Sequence, residues 1–194
     1  AVELFVKKGA KLRYSTIENW SRNMYNLNTK RAVVDADGVI EWVSGSFGSR
    51  VSMLYPMSIL RGERARCEFT GITFASAGQY LDTGSKVIHA APYTTSNVHS
   101  KSISKNGGTA LYRGLLRVAS NAYGSKASVE CESLMLDNLS TSDTIPIIEV
   151  NTDDIDIGHE AKIGRISDEA IFYLMSRGIS EDEAKAMIVR GFVE

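Results

Sequence analysis

From Val2 to about Ile157 the chain reads as strand after strand, each short and rich in Val, Ile, Thr and aromatic residues and each ended by Gly, Ser, Asn or Asp. No convincing amphipathic helix interrupts the run. The pattern predicts strands near Leu12–Thr16, Arg31–Val34, Val39–Val43, Arg50–Tyr55, Arg66–Phe74, Lys86–His89, Asn97–Ile103, Leu111–Val118, Ser128–Leu136, Ile145–Val150 and Ile155–Ile157. Roughly 150 residues of uninterrupted β character admit a sandwich, a barrel or a parallel β-solenoid. Small polar residues fill the breaks, as in Gly45-Ser46, Ala75-Ser76-Ala77-Gly78 and Ser104-Lys105-Asn106-Gly107-Gly108, which favours the solenoid. Asn106-Gly107 is compatible with a hairpin. No strict repeat of fixed period is visible, so the residues alone give the solenoid only a modest edge over a sandwich.

The last thirty or so residues change character. Ser167 is placed to cap a helix over Asp168–Arg177, with acids in its first turn and Gly178 where a left-handed residue belongs. Ser180 and Glu183 have the spacing of a capping box that opens a second helix through Arg190. Ile171, Leu174 and Met175 form one apolar stripe, and Ala184, Met187 and Ile188 another. The expected organisation is a β domain over 1–160 and a helical hairpin over 161–194. The chain opens Ala1-Val2-Glu3-Leu4 without Met and closes at Phe192-Val193-Glu194 directly after an apolar helix face, so a piece of a longer protein is expected.

Composition narrows the chemistry. A net charge of −1 with interspersed signs argues against a nucleic-acid surface, and the apolar runs are far shorter than a membrane helix needs. The two cysteines, Cys67 and Cys131, make no disulfide framework and no paired metal motif, so a reducing cytoplasm is the expected setting.

Cys131 and the adjacent His159 and Glu160 are the candidate metal ligands. Thiolate, imidazole and carboxylate can hold iron, zinc or a transferred sulfur, yet one of each is too few for a closed structural site. His159-Glu160-Ala161-Lys162-Ile163 lacks the second histidine of a zinc-protease helix. No nucleophile elbow and no phosphate-binding loop is present; Gly107-Gly108 runs on into Thr109-Ala110. Strand alternation puts Cys131 on the face of Val129 and Ser133, opposite Glu130 and Glu132. A strand cysteine is more often a small buried hydrophobe than a ligand, but the interval from Cys131 to His159 fits within one solenoid repeat, which would set the two on adjacent coils. Cys67 reads as structural, Trp20 as core packing and Lys30 as a solvated head.

Many short motifs occur in an order that resembles one family. They include Tyr14-Ser15-Thr16 with Asn19-Trp20, Asn28-Thr29-Lys30-Arg31, Tyr55-Pro56 with Ile59-Leu60-Arg61-Gly62, and Asp82-Thr83-Gly84-Ser85-Lys86 with Ile88-His89. Ser100-Lys101, Tyr112-Arg113-Gly114, Cys131-Glu132-Ser133-Leu134, Ile148-Glu149-Val150, His159-Glu160-Ala161 and Phe172-Tyr173-Leu174 follow, leading into Ser176-Arg177-Gly178-Ile179-Ser180-Glu181. From about Gly9 onward the chain is similar to the C-terminal part of SufB-type scaffolds, in the SufB/SufD family of the SUF iron–sulfur cluster assembly machinery.

The resemblance implies a right-handed parallel β-helix followed by a short helical subdomain, and a non-enzymatic scaffold that builds and releases a transient iron–sulfur cluster. It implies that Cys131 and Glu160, with His159 nearby, bear the nascent cluster. Sulfur would arrive from a donor protein through the interior, past the positions of Trp20 and Lys30. Glu18 stands where the family has a Gln, and the family's sulfur-receiving cysteine has no counterpart, while Cys67 is extra. The helical hairpin would dock a SufC-type ATPase, and the β-helix edge would pair with SufD or a second SufB. A SufD-like structural and iron-admitting subunit is the alternative, against which the Cys131 motif argues. A β-solenoid polysaccharide enzyme would need a carboxylate cluster that the sequence does not display.

Overall fold

A computed structural model describes residues 1–194. Successive strands alternate between two sheets, and every strand pairing is parallel. One sheet carries β2 (Lys11–Glu18), β5 (Val39–Ser46), β8 (Arg66–Ala75), β10 (Thr95–Ser104), β12 (Ser125–Met135) and β14 (Ile155–Arg165). The other carries β1 (Val2–Val6), β3 (Tyr25–Asn28), β4 (Lys30–Val34), β6 (Val51–Leu54), β7 (Met57–Leu60), β9 (Tyr80–His89), β11 (Thr109–Val118) and β13 (Thr141–Val150). Consecutive strands that never pair with each other, but pair with the strand one turn away, make a parallel β-helix. The alternative of a sandwich is thereby excluded.

The coil length explains why no fixed repeat is legible. Arg31 stacks on Met57, whereas Thr109 stacks on Thr141, so successive coils differ in length. The second sheet is also broken in its early coils: β3 and β4 are separate, as are β6 and β7, where Pro56 has no N–H to give to the ladder. β9 is continuous and pairs with both β6 and β7. Asn106-Gly107, with φ of 53° and 77°, forms a coil corner between β10 and β11 and not a hairpin. A left-handed pair turns the chain equally well between sheets as within one.

Inward residues stack in columns. Val6, Val34, Leu60, His89 and Val118 follow one another in register, and each is buried. Among these aliphatic neighbours His89 is fully buried; its Nδ1 lies 2.8 Å from Thr94 Oγ1 and its Nε2 2.9 Å from Ser96 Oγ. Lying 2.9 Å from Thr94 Oγ1, Ser125 Oγ carries the hydroxyl chain to the next coil.

After β14, which extends to Arg165 and so past the expected boundary at 160, come α1 (Asp168–Met175) and α2 (Glu181–Val193). Ser167 caps α1 by accepting from the Ala170 amide, and Ser180 with Glu183 forms the expected capping box of α2. α1 stops short of Arg177, with Gly178 at φ 86°, while α2 runs beyond Arg190. Lys101 on β10 donates to the Phe192 carbonyl at 2.8 Å and lies 5.6 Å from the Phe192 ring centroid, which holds the end of α2 to the outer face of the first sheet. No helix is long and apolar enough to cross a membrane.

Burial pushes the His89 pKa down from 6.5 to about 4. The unfolded chain therefore takes up a proton before the folded one does, so stability is complete above about pH 6.5 and is lost as pH falls through 4. The loss should reach roughly 3 kcal/mol. Urea unfolding at pH 7, 5 and 4 checks this: His89→Gln should be less stable at pH 7 and show a shallower fall on acidification.

Candidate functional site

Adjacent residues on a strand face opposite ways, and parallel register carries each facing to the next coil. Cys131 on β12 points inward with Val129 and Ser133 and is 2% exposed. Register sets Val129 beside His159, Glu130 beside Glu160 and Cys131 beside Ala161. His159 therefore shares the inner face with Cys131, on the last coil of this sheet. It lines a cavity of about 20 Å³ together with Val129, Leu116, Tyr112, Ser85 and Ile148, room for about one water-sized guest. Only the methyl of Ala161 stands over Cys131 on that coil.

Glu160 points the other way. It lies on the outer face in line with His99 and Glu130, and its carboxylate is 2.8 Å from Lys162 Nζ. His99 Nδ1 lies 3.1 Å from Glu130 Oε2 in the same row. Cys131 and His159 thus share the inner face on adjacent coils, two register positions apart, while Glu160 lies on the outer face.

Burial pushes the Cys131 thiol up to about 12, with a Tyr112 hydrogen bond opposing and the Glu130 charge adding to the rise. Cys67, also inward, is pushed up to about 12 by burial. Its Sγ contacts Ser58 Oγ at 3.2 Å, and the same hydroxyl accepts from Trp42 Nε1 at 2.8 Å. Both thiols are free. Burial thus favours the protonated form of each thiol.

At the opposite end of the coil stack, Glu18 and Lys30 are buried together. Lys30 Nζ lies 2.7 Å from Glu18 Oε1 and 3.3 Å from Thr16 Oγ1, and Asn26 donates to the other Glu18 oxygen. Trp20 does not join them: it follows β2 and is 54% exposed, so the reading of it as core packing is corrected. The inward tryptophan is Trp42, which strand alternation with Ile40 and Ser44 could have revealed. Between the two ends the register builds the column Thr16, Ser44, Gly71, Ser100, Cys131 and Ala161. Beside it runs Glu18, Ser46, Thr73, Ser102, Ser133 and Ile163. Small polar side chains thus connect the Glu18–Lys30 pair to Cys131 through the interior, a feature invisible without the register.

The profile of the SUF system FeS cluster assembly SufBD core domain matches residues 1–192. The chain belongs to the SufBD family. It is 51% identical, over its whole length, to the iron–sulfur cluster assembly protein SufB of Bacillus subtilis, of which it covers 42%. It is likewise 53% identical to an iron–sulfur cluster assembly SufBD family protein of Staphylococcus epidermidis, covering 42% of that protein. A SufBD family protein of Mycobacterium tuberculosis is 50% identical and covered to 23%. The chain therefore spans less than half the length of these SufBD relatives.

The buried ion pair gives a sharp expectation. With side chains 3% and 10% exposed, Lys30→Met should strand the Glu18 charge and cost about 3–5 kcal/mol. Adding Glu18→Gln should recover most of that loss in a double-mutant cycle followed by urea unfolding.

Proposed function

We propose that the chain carries the sulfur-bearing half of an iron–sulfur cluster assembly site, in a scaffold that works without catalysing a reaction of its own. The observation that supports this most directly is the place of Cys131: inward, one coil below the open end, under Ala161 and on the same face as His159. Thiolate is the usual ligand of such clusters, and an imidazole ligand eases later release. Cluster iron and sulfide are the cargo here. The remaining ligands come from cargo sulfide or from a partner subunit. Glu160 acts from the outer face, where it serves iron delivery in a row with Glu130 and His99.

Sulfur passes from a donor protein along the interior column, with Lys30 attracting the anionic sulfur and Glu18 balancing that charge. The partner subunit, SufD or a second SufB, covers the open end. There β13 and β14 present unpaired edges, and Ile147, Ile148, Val150 and Ile163 are 42–51% exposed. The hairpin offers Phe172, Tyr173 and Met187, exposed by 47–74%, to a SufC-type ATPase. Two free buried thiols suit a reducing cytoplasm.

Anaerobic reconstitution of the full-length protein with its partners tests the reading through iron–sulfur charge-transfer absorption. Cys131→Ala is expected to lose the cluster, and Glu160→Ala to take up less iron while sulfur still reaches Cys131. Undiminished cluster content in Cys131→Ala would sink the assignment.

A further inference from the structure

The outward faces of the two sheets differ in chemistry. On the first, the row Arg13, Glu41, Glu68, Asn97 and Ser128 is polar throughout and pairs within itself, Arg13 with Glu41 at 2.7 Å and Asn97 with Glu68 at 3.0 Å. On the second, two adjacent rows mix apolar residues with cations: Arg31, Met57, Lys86 and Leu115, then Val33, Ile59, Ile88 and Arg117. All of these are half-exposed or exposed, while Ala32, Ser58, Val87 and Leu116 between them are buried, so no element of the chain covers the rows. A parallel sheet with an apolar outer face is ordinarily packed against helices.

The charges on this face are laid out unevenly. Neither Arg31 nor Lys86 takes part in an ion pair, and Lys86 Nζ instead lies 5.2 Å from the Tyr55 ring centroid. The anions sit at the margins, Glu3 on β1 and Asp143 and Glu149 on β13, or are already engaged, as Asp82 is with Arg113 at 2.8 Å. Strand spacing sets Arg31 and Lys86 about 10 Å apart on either side of Met57, which is the width of one α-helix.

We propose that in the full-length protein this face carries an amphipathic helix from the polypeptide outside these 194 residues, lying along β7 over Met57 and Ile59 with acidic residues on both flanks. Two observations select this occupant. Lone cations on both sides of an apolar strip call for acids on both edges of whatever lies between them, the pattern of a helix with one narrow apolar stripe. The chain is also only 42% of the length of its Bacillus subtilis relative, so more than half of such a polypeptide is tethered to this face. A tethered helix arrives at high effective concentration and needs little affinity of its own, so a modest strip of apolar contact suffices.

Photo-cross-linking of the full-length protein tests this, with p-benzoylphenylalanine in place of Met57 or, separately, Leu115, and mass spectrometry of the joined peptides. The expected partner peptide comes from the same polypeptide, outside residues 1–194, and carries acids on both flanks of an apolar stripe. Mixing isotope-labelled and unlabelled protein before irradiation separates the sources. Joined peptides of one isotope are expected, whereas mixed pairs would seat a second copy on the face and overturn the proposal. Cross-links only to a different protein, or none from either position, would overturn it as well. Reversing the flanking charges, Arg31→Glu with Lys86→Glu, should lower the yield several-fold, and an unchanged yield would remove the charge match that selects the helix. Urea midpoints measured alongside confirm that yields are compared between folded proteins.

Discussion

The backbone of each strand finds its ladder partners in the coils before and after its own, and the rest of the structure depends on that parallel, in-register stacking. Once Thr95 is set between Arg66 and Lys126, every residue along β10 has a fixed neighbour on β8 and β12, facing the same way. Inner columns are thus inherited from coil to coil, and so are outer rows. The outer ion pairs Arg13–Glu41, Lys101–Glu132 and Arg117–Glu149 each join neighbouring coils at one register position. Exposed pairs of this kind add little stability individually, but a one-residue slip would break them all and turn the core outward, so they oppose slippage together.

Stacking of this kind has no natural end. β13 and β14 have neighbours on one side only, and the residues that would continue the inner columns, His159, Ala161 and Ile163 among them, have no coil above them. A ligand set placed there is incomplete by construction. On the proposed reading of Cys131 and His159 as ligands, that accounts for a set too sparse for a closed metal site.

Much of the fold was legible. Alternation located β5, β8, β10, β11 and β12 within a few residues, and the capping signals of Ser167, Ser180 and Glu183 located both helices. β1, β3 and β7 escaped although the equally short β4 and β6 did not, and most of β14 escaped because Gly158, Glu160 and Lys162 are not strand formers; neighbouring β12 holds them extended. For the candidate ligands, position is legible in the sequence but facing is not. His159 and Glu160 read as one motif, yet neighbours on a strand cannot serve one face, and only the register to β12 shows that His159 shares the face of Cys131. Trp20 was misplaced because β2 ends at Glu18, after which alternation no longer applies.

The polar interior is harder to explain by stability than by chemistry. An aliphatic column like Val6–Val34–Leu60 fills the coil and needs no partners, whereas each buried hydroxyl or charge must be desolvated and then matched. Here matching is carried out pair by pair: Ser102 with Ser133 at 2.7 Å, Thr73 with Thr83 at 3.0 Å, Ser85 with Tyr112 at 2.9 Å, Lys30 with Glu18 at 2.7 Å. Such pairs roughly restore what desolvation removes and contribute little beyond it. Buried hydroxyls also stand elsewhere in the interior, at Ser58, Ser85 and Thr94 among others, but one run of them leads from the buried ion pair to the thiol near the open end. A core under selection for packing alone would have no reason to keep that run.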